Sequence, residues 1–503
     1  MFGRRNLRSF AALAALLLAA SCTTVPAPVS RPSISSDSSV AGSGRVVLIS
    51  LDGTSSIELH RRYRAGEFPP GGFSRFFAEG EVASSLTPVD PTLTAVNHIS
   101  LATGFPPAAT GIVSNNFHPS GSPWGQKTSG FAAPIGTETL WEAVRRQGRR
   151  VGIWTFPGAD DTGPRRRGDW GFTYSGKGYP EELANELERR GLVWPGSPDS
   201  DALKAGWEGK PGIDLATWTD QTARFGDFFF DGLAYAASRP DWDLLLGYVP
   251  TIDEAGHDLL LEEPRQPGFS PERRDALAAA RKRVWQAADR GLARLLQAID
   301  LSTTTVLIVS DHGMTPVFAR VDPNALLASA GYAKLGAEGK VDPAASRALA
   351  ISNGGVSHIY LAPGVAPDER AKILADLKRR FLRLEAQGAR AVAKIFDHDQ
   401  LGPIGLDHPN SGDLVLFAAP GITFAEKPIP GGAVAAPTDV YGMHGHLYRG
   451  GEGDRRLAGI YLALGRGVGK RPLGVVKNTD VARRAASYLG IEPPRRQAEP
   501  ELP

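Results

Sequence analysis

Six side chains in this sequence have the types and spacing of a metal centre. Asp253 and His257 stand four residues apart, which puts a carboxylate and an imidazole on one face if that stretch is helical. Asp311 and His312 follow the apolar run Val306-Leu307-Ile308-Val309-Ser310 and precede Gly313, so a turning loop can aim both at one point. Asp52 ends another apolar run, and His444 lies in Gly442-Met443-His444-Gly445-His446. Three carboxylates and three imidazoles are all oxygen and nitrogen donors. Such a set suits two Zn²⁺ ions, each held by a mixture of Asp and His with an open position for substrate. Each piece alone is weak, because a lone Asp-His pair is more often structural. Four pieces, most of them at strand ends, are what point to a site.

The elements that must position these residues are legible as a repeated design. Val46-Val47-Leu48-Ile49-Ser50-Leu51 is a continuous apolar run, as expected of a strand buried on both faces. Val151-Gly152-Ile153-Trp154, Leu244 to Val249 and Val306 to Ser310 repeat it. Between them, Pro271 to Ile299 keeps helical spacing through Leu277, Val284, Ala288, Leu292 and Leu295, with Ser270 as its N-cap. Phe228-Phe229-Phe230 reads as core. Alternating strands and helices predict an α/β fold with a central, mostly parallel sheet covered by helices on both faces. Sites in such folds form beyond the carboxyl ends of the strands, where Asp52, Asp253 and Asp311 fall. Between 345 and 435 the texture changes, with a strand at Val356–Leu361, an amphipathic helix over 368–383 and a strand near Leu414. That stretch predicts a small inserted α+β subdomain, leaving 45–344 and 436–491 as the catalytic domain and 492–503 as a disordered tail.

Composition narrows the function. Over 503 residues, 56 Lys and Arg nearly cancel 54 Asp and Glu, so no overall basic field exists to hold a nucleic-acid polymer. Hydrophobic residues at 42% and charged residues at 22% describe a globular chain with ample core. One cysteine, Cys22, excludes structural disulfides and any Cys-rich zinc site. A basic start, an apolar stretch from Phe10 to Ala20 and small residues after it predict a signal peptide over 1–21. Residues 22–44, rich in Ser, Thr, Pro and Ala, read as a flexible tether.

The segment Pro91-Thr92-Leu93-Thr94-Ala95-Val96-Asn97-His98, with Gly111-Ile112-Val113-Ser114-Asn115 after it, resembles the nucleophile region of the alkaline phosphatase superfamily. Within that superfamily it is similar to the nucleotide pyrophosphatase/phosphodiesterase family. The family's Pro-Thr-x-Thr-x-x-Asn-His matches Pro91 to His98, its Asp-x-x-Gly-His matches Asp253 to His257, and its Asp-His-Gly matches Asp311 to Gly313. The late His-Gly matches His444-Gly445, and Trp154-Thr155-Phe156-Pro157-Gly158 resembles a family turn. The resemblance implies an alkaline-phosphatase-like fold and a two-zinc phosphodiesterase or pyrophosphatase. It implies Thr94 as nucleophile and Asn115 as a phosphate contact. It further implies that Asp253, His257 and His444 hold one zinc, and that Asp52, Asp311, His312 and the Thr94 oxygen hold the other. A zinc-bound threonine hydroxyl needs no separate base to become nucleophilic. Leu18-Ala19-Ala20-Ser21-Cys22 resembles a bacterial lipobox, although Ala19 stands where Leu is favoured. An exported cell-envelope lipoprotein is therefore expected, otherwise a periplasmic or secreted protein, touching membrane only through that anchor.

Departures from the family pattern bear on substrate. Ala95-Val96 replaces the Phe-Pro that follows the nucleophile in nucleotide pyrophosphatases, which weakens the case for a nucleotide. A small phosphate ester, nucleotide or lipid head group, is the expected partner. His446 reads as a surface histidine, His98 as a packed one, and Arg165-Arg166-Arg167 as a solvated charge run. Rival readings are a phosphomonoesterase or phosphonate hydrolase with the same threonine and metals, and a lipid-anchored binding protein with a structural metal site. A sulfatase would need a Cys or Ser where Thr94 stands.

Overall fold

The computed structural model describes residues 44–160, 163, 165–429, 432–436, 440–448 and 454–496. The expected signal peptide, Cys22 and all of the tether except Gly44 lie outside the described residues. The apolar runs assemble into a nine-stranded sheet. In chain order its strands are β1 (Arg45–Leu51), β2 (Glu81–Thr87), β3 (Val151–Trp154), β4 (Trp170–Phe172), β5 (Gly178–Tyr179), β6 (Leu244–Val249), β7 (Thr304–Val309), β8 (Tyr461–Gly465) and β9 (Arg471–Lys477). Across the sheet they run β9-β2-β8-β7-β1-β6-β3-β4-β5. The central strands β7, β1, β6, β3 and β4 are parallel, and β8 and β5 run against their neighbours. Asp52, Asp253 and Asp311 therefore emerge at one edge of three adjacent strands.

Four helices flank the site or the strands that carry it: α1 (Thr94–Thr103), α2 (Leu215–Ser238), α3 (Thr251–Leu259) and α4 (Pro271–Gln297). Alternate residues of each strand feed opposite layers. Val46 and Leu48 pack with Ile99 and Leu101 of α1, whereas Val47, Ile49 and Leu51 pack with Phe229 of α2 and Leu292 of α4. Each such side chain contributes roughly 1.5–3 kcal/mol on burial, so both faces of β1 must be apolar, and the period-two alternation of a half-exposed strand is absent. The Phe228-Phe229-Phe230 run is buried in α2, as read. Ser270 caps α4, its hydroxyl accepting from the Arg273 N–H at 3.1 Å.

The inserted region builds a four-stranded antiparallel sheet from Ala348–Asn353, Val356–Leu361, Leu414–Ala418 and Val392–Asp397, in that spatial order. Helix Pro367–Arg383 buries Ile373, Leu377 and Phe381 in the same core. That core also takes in Phe318, Ala319, Val321 and Leu327, so the packing unit starts ahead of residue 345. The strand Ala319–Val321 pairs with Ile422–Phe424, which ties the two ends of the insertion together. At the far end, residues 492–496 differ from the expected disordered tail. Pro494 is buried, the Glu492 N–H donates to Gln147 at 2.9 Å and the Arg495 N–H donates to Glu138 at 2.8 Å. Among the described residues no helix is long and apolar enough to cross a membrane.

Candidate functional site

Two clusters of ligating groups face the crevice at the carboxyl edge of β7, β1 and β6. In the first, Asp52 follows β1 while Asp311 and His312 follow β7, and their ligand atoms lie within 4.8 Å of one another. His312 Nε2 is 3.0 Å from Asp311 Oδ2 and 3.6 Å from Asp52 Oδ1. Gly53 makes the approach of the neighbouring Asp253 possible: its φ is +63°, and a Cβ there would sit 2.5 Å from Asp253 Oδ1. In the second cluster α3 carries Asp253 and His257 on one face, with Asp253 Oδ2 3.2 Å from His257 Nε2. His444 arrives from a late loop, its Nε2 4.0 Å from Asp253 Oδ1. The rings of His312 and His444 stack at 3.7 Å, so the two clusters adjoin.

The donor chemistry fits metal ions. His257 Nδ1 donates to the Gly442 carbonyl at 2.9 Å, His444 Nδ1 to that of Thr92 at 2.9 Å and His312 Nδ1 to that of Gly313 at 3.1 Å. Each ring thus spends Nδ1–H on backbone and turns Nε2 toward the cluster, the usual orientation of a metal-ligating histidine. Asp52 Oδ1, Asp253 Oδ1 and Asp311 Oδ2 are buried without a hydrogen-bond partner. Orphaned carboxylate oxygens are costly unless a cation meets them.

Electrostatics say the same. Burial, with the neighbouring Asp253 charge, pushes Asp311 up to about 7. Burial and the charges of Asp311 and Asp253 raise Asp52 well above the carboxylate range. Burial also works against the Asp253 charge, but His257 and His444 hold that carboxyl low, and Asp253 in turn lifts His257 to about 10 against its own desolvation. His444 is driven down by burial and by His312. Protons alone leave three crowded carboxylates in conflict, and divalent cations would relieve it.

Thr94 opens α1 beside the first cluster, its Oγ1 3.3 Å from His312 Nε2. Asn115 sits across from it: Asn115 Oδ1 accepts from the Ala95 N–H at 2.9 Å, so the side-chain amino group is the end left for a ligand. The N–H groups of the first helical turn add positive potential there. A cavity of about 510 Å³ adjoins Thr94, lined by Asp52 and Asp253, by the aromatic rings of Phe131, Phe156, Tyr174 and Tyr248, and by Pro157, Gly158 and Asp160. No Lys or Arg stands among its described lining residues.

All eight residues singled out from the sequence thus converge on this crevice or its rim. His98 is packed as expected, donating from Nδ1 to the Thr94 carbonyl at 2.8 Å and accepting the Ser50 hydroxyl at 2.8 Å. His446 is not a surface residue: it is buried, with Nε2 2.7 Å from the Ile422 carbonyl oxygen. Nor is the arginine triplet a solvated run. Arg166 is buried and donates to backbone carbonyls, and Arg165 binds Glu142 at 2.6 Å. Two residues of the site escaped sequence reasoning. The Tyr248 hydroxyl donates to Asp52 Oδ2 at 2.5 Å, and its only signal was a polar side chain inside an apolar strand. Thr92 anchors the late loop through its carbonyl to His444 and its hydroxyl to the Gly445 N–H at 2.9 Å. Adjacency to Thr94 was the clue.

Among curated proteins the sequence has no significant match. Solved structures share the fold at low identity. The inactive Thr-to-Ala form of murine ectonucleotide pyrophosphatase/phosphodiesterase 5, in complex with AMP, is 15% identical, covering 90% of this chain and 96% of that one with a TM-score of 0.53. Phosphonoacetate hydrolase from Sinorhizobium meliloti, in complex with phosphonoformate, is 18% identical, covering 89% and 96% at 0.54. The wild-type alkaline phosphatase PafA is 15% identical, covering 91% and 98% at 0.58. The family model described as type I phosphodiesterase/nucleotide pyrophosphatase matches residues 46–447. A match over that much of the chain makes this protein a member of the type I phosphodiesterase/nucleotide pyrophosphatase family.

Proposed function

We propose that the protein is a two-zinc phosphodiesterase or pyrophosphatase that works through a phosphothreonine on Thr94. The observation that carries this reading is Thr94 at the first turn of α1, 3.3 Å from His312 and beside two Asp/His clusters in which each carboxylate has one buried oxygen without a hydrogen-bond partner. Asp253, His257 and His444 would hold one Zn²⁺, and Asp52, Asp311, His312 and Thr94 Oγ1 the other. Bound zinc supplies Lewis acidity, lowering the pKa of a coordinated hydroxyl or water and neutralising charge on a leaving oxygen.

The chain's own residues do the rest. Thr94 Oγ1 attacks phosphorus in line, forming the Thr94 O–P bond as the ester bond breaks and one alcohol or phosphate arm leaves. Water then cleaves the phosphothreonine and returns the Thr94 hydroxyl. Asn115 Nδ2 and the N–H at the start of α1 meet charge on the non-bridging oxygens, as pre-oriented donors do in other oxyanion sites. His98, bonded to the Thr94 carbonyl, fixes the turn that aims the nucleophile.

Diester preference rests on the cavity beside Thr94. It has room for a second ester arm and, among its described lining residues, offers no lysine or arginine to balance the extra charge of a monoester dianion. The AMP held by the murine relative is compatible with a nucleotide arm, and the aromatic lining suits one. Zinc-loaded protein should cleave bis-p-nitrophenyl phosphate faster than p-nitrophenyl phosphate at alkaline pH. Faster monoester cleavage would favour the phosphatase rival, and Thr94→Ala with full activity would reject the mechanism. Leu18 to Cys22 supports export with a lipidated cysteine, which Cys22→Ser tests by releasing the protein from membranes.

A further inference from the structure

The wall of the cavity beside Thr94 is made of two turns that do not belong to one element. Phe131 comes from the loop after Asn115, and Phe156, Pro157 and Gly158 come from the turn after β3. Each turn has backbone bonds of its own, Ala133 N–H to the Ser129 carbonyl at 2.8 Å and Ala159 N–H to the Phe156 carbonyl at 3.0 Å. One side chain bonds both turns. Arg166 is 5% exposed, and its guanidinium donates to the Phe131 carbonyl at 2.5 Å, to the Gly158 carbonyl at 2.9 Å and, from its other terminal nitrogen, to the Ala133 carbonyl. A planar fork reaches these three carbonyls from two terminal nitrogens; an ammonium would have to reach all three from one atom.

The geometry around the fork is unforgiving. Gly158 has φ +83°, and a Cβ there would stand 2.4 Å from Ile99 Cδ1 on the nucleophile helix. Thr155, two residues before Pro157, has φ +59°, a left-handed conformation that a β-branched side chain rarely adopts. Strained backbone of this kind persists only where its surroundings over-determine it. Burial lowers Arg166 to about 10, so it remains a cation at neutral pH, and it spends these donors on backbone carbonyls.

We propose that Arg166 is a positioning residue: it clamps the Phe131 loop to the Pro157–Gly158 turn and thereby sets the size of ester arm that the site accepts beside Thr94. Arg166 touches no substrate, since the cavity lining does not include it. The inference rests on the diesterase reading above and adds a determinant of substrate choice to it.

The test compares two diesters that share a leaving group, bis-p-nitrophenyl phosphate and methyl p-nitrophenyl phosphate, with zinc-loaded full-length protein. In Arg166→Gln the ratio of kcat/KM values, aryl over methyl, should fall about tenfold, the scale of a lost pocket contact, with the change in KM for the aryl diester and kcat for the methyl diester near wild type. Arg166→Lys, which keeps the charge and loses the fork, should fall between. An unchanged ratio in folded Arg166→Gln overturns the inference while the diesterase reading stands. So does failure of both variants to fold, which would make Arg166 a general support. Wild-type protein that cleaves neither diester overturns both.

Discussion

The two metal-ligand clusters are chemically alike and built differently. The side chains of Asp52, Asp311 and His312 are at most 2% exposed, whereas those of Asp253, His257 and His444 are 14%, 21% and 8% exposed. The buried cluster grows directly from the ends of adjacent parallel strands, where the pairing of β1 with β7 fixes Asp52 and Asp311 side by side. The more exposed cluster joins a helix to a loop almost two hundred residues later in the chain, and the loop is held by Thr92. A sheet edge therefore fixes one cluster of candidate ligands, and a tethered loop closes the other. In the proposed mechanism the buried cluster serves Thr94, and the more exposed one faces the departing arm and the entering water.

The sharpest break in that comparison is at the nucleophile. Thr94→Ala should lower kcat at least about 10³-fold, as expected when a covalent nucleophile is lost, while metal content stays near wild type because Asp52, Asp311 and His312 remain. Equal loss of zinc and activity would recast Thr94 as chiefly a ligand.

Chelation separates the clusters next. During dialysis against a chelator, one zinc per chain should leave about tenfold faster than the other, because release from the buried cluster requires local opening. Metal counted against time by elemental analysis, with activity measured on the same samples, checks this. Simultaneous departure would show that the difference in exposure has no kinetic meaning.

These expectations depend on parts of the molecule that were unequally legible in the sequence. Strands such as β1 and β6 were readable because burial on both faces demands unbroken apolar runs, and the acidic residues at their ends stood out against them. The helix from Pro271 was readable from its cap and spacing. The motif around Thr94 pointed to the family because spacing over a few residues survives in the chain as written. What escaped were long-range contacts between short polar side chains. Nothing local tells that Thr92 holds a loop at 444–446, that Tyr248 leans on Asp52 or that Arg166 folds inward onto carbonyls. Arg166 was misread because charge runs are usually solvated, and the competing gain, several buried carbonyls satisfied by one fork, becomes visible only in three dimensions. His446 was misread for the same reason.

Thr92 gives the third prediction and probes the adjustable cluster alone. Its hydroxyl accepts from the Gly445 N–H and donates to the His446 carbonyl at 3.0 Å. Thr92→Ala leaves the carbonyl that orients His444 but frees the loop, so affinity for the more exposed zinc should fall about tenfold, as for other outer-shell supports. Titration of metal-stripped protein with zinc should show one weakened and one unchanged binding step. Two weakened steps would mean that the stacked rings of His312 and His444 couple the sites more tightly than the loop separates them.

The smallest effect, and the finest probe of the buried cluster, belongs to Tyr248. Its hydroxyl donates to Asp52 Oδ2 while Asp52 Oδ1 has no hydrogen-bond partner, so the phenol and a metal would divide the carboxylate between them. In metal-stripped protein, Tyr248→Phe removes that donor from the buried Asp52 Oδ2, and leaving a buried acceptor unsatisfied costs about 1–3 kcal/mol. In zinc-loaded protein the cation compensates, and activity on a small diester should change only about twofold to fivefold, or roughly 0.4–1 kcal/mol in the barrier. Denaturant unfolding of both forms, wild type and variant, separates the two cases. A larger loss of stability without metal than with it identifies the hydroxyl as a support of the ligand. Equal losses would show that the phenol supports the sheet edge, and that the rigidity of the buried cluster comes from the strands alone.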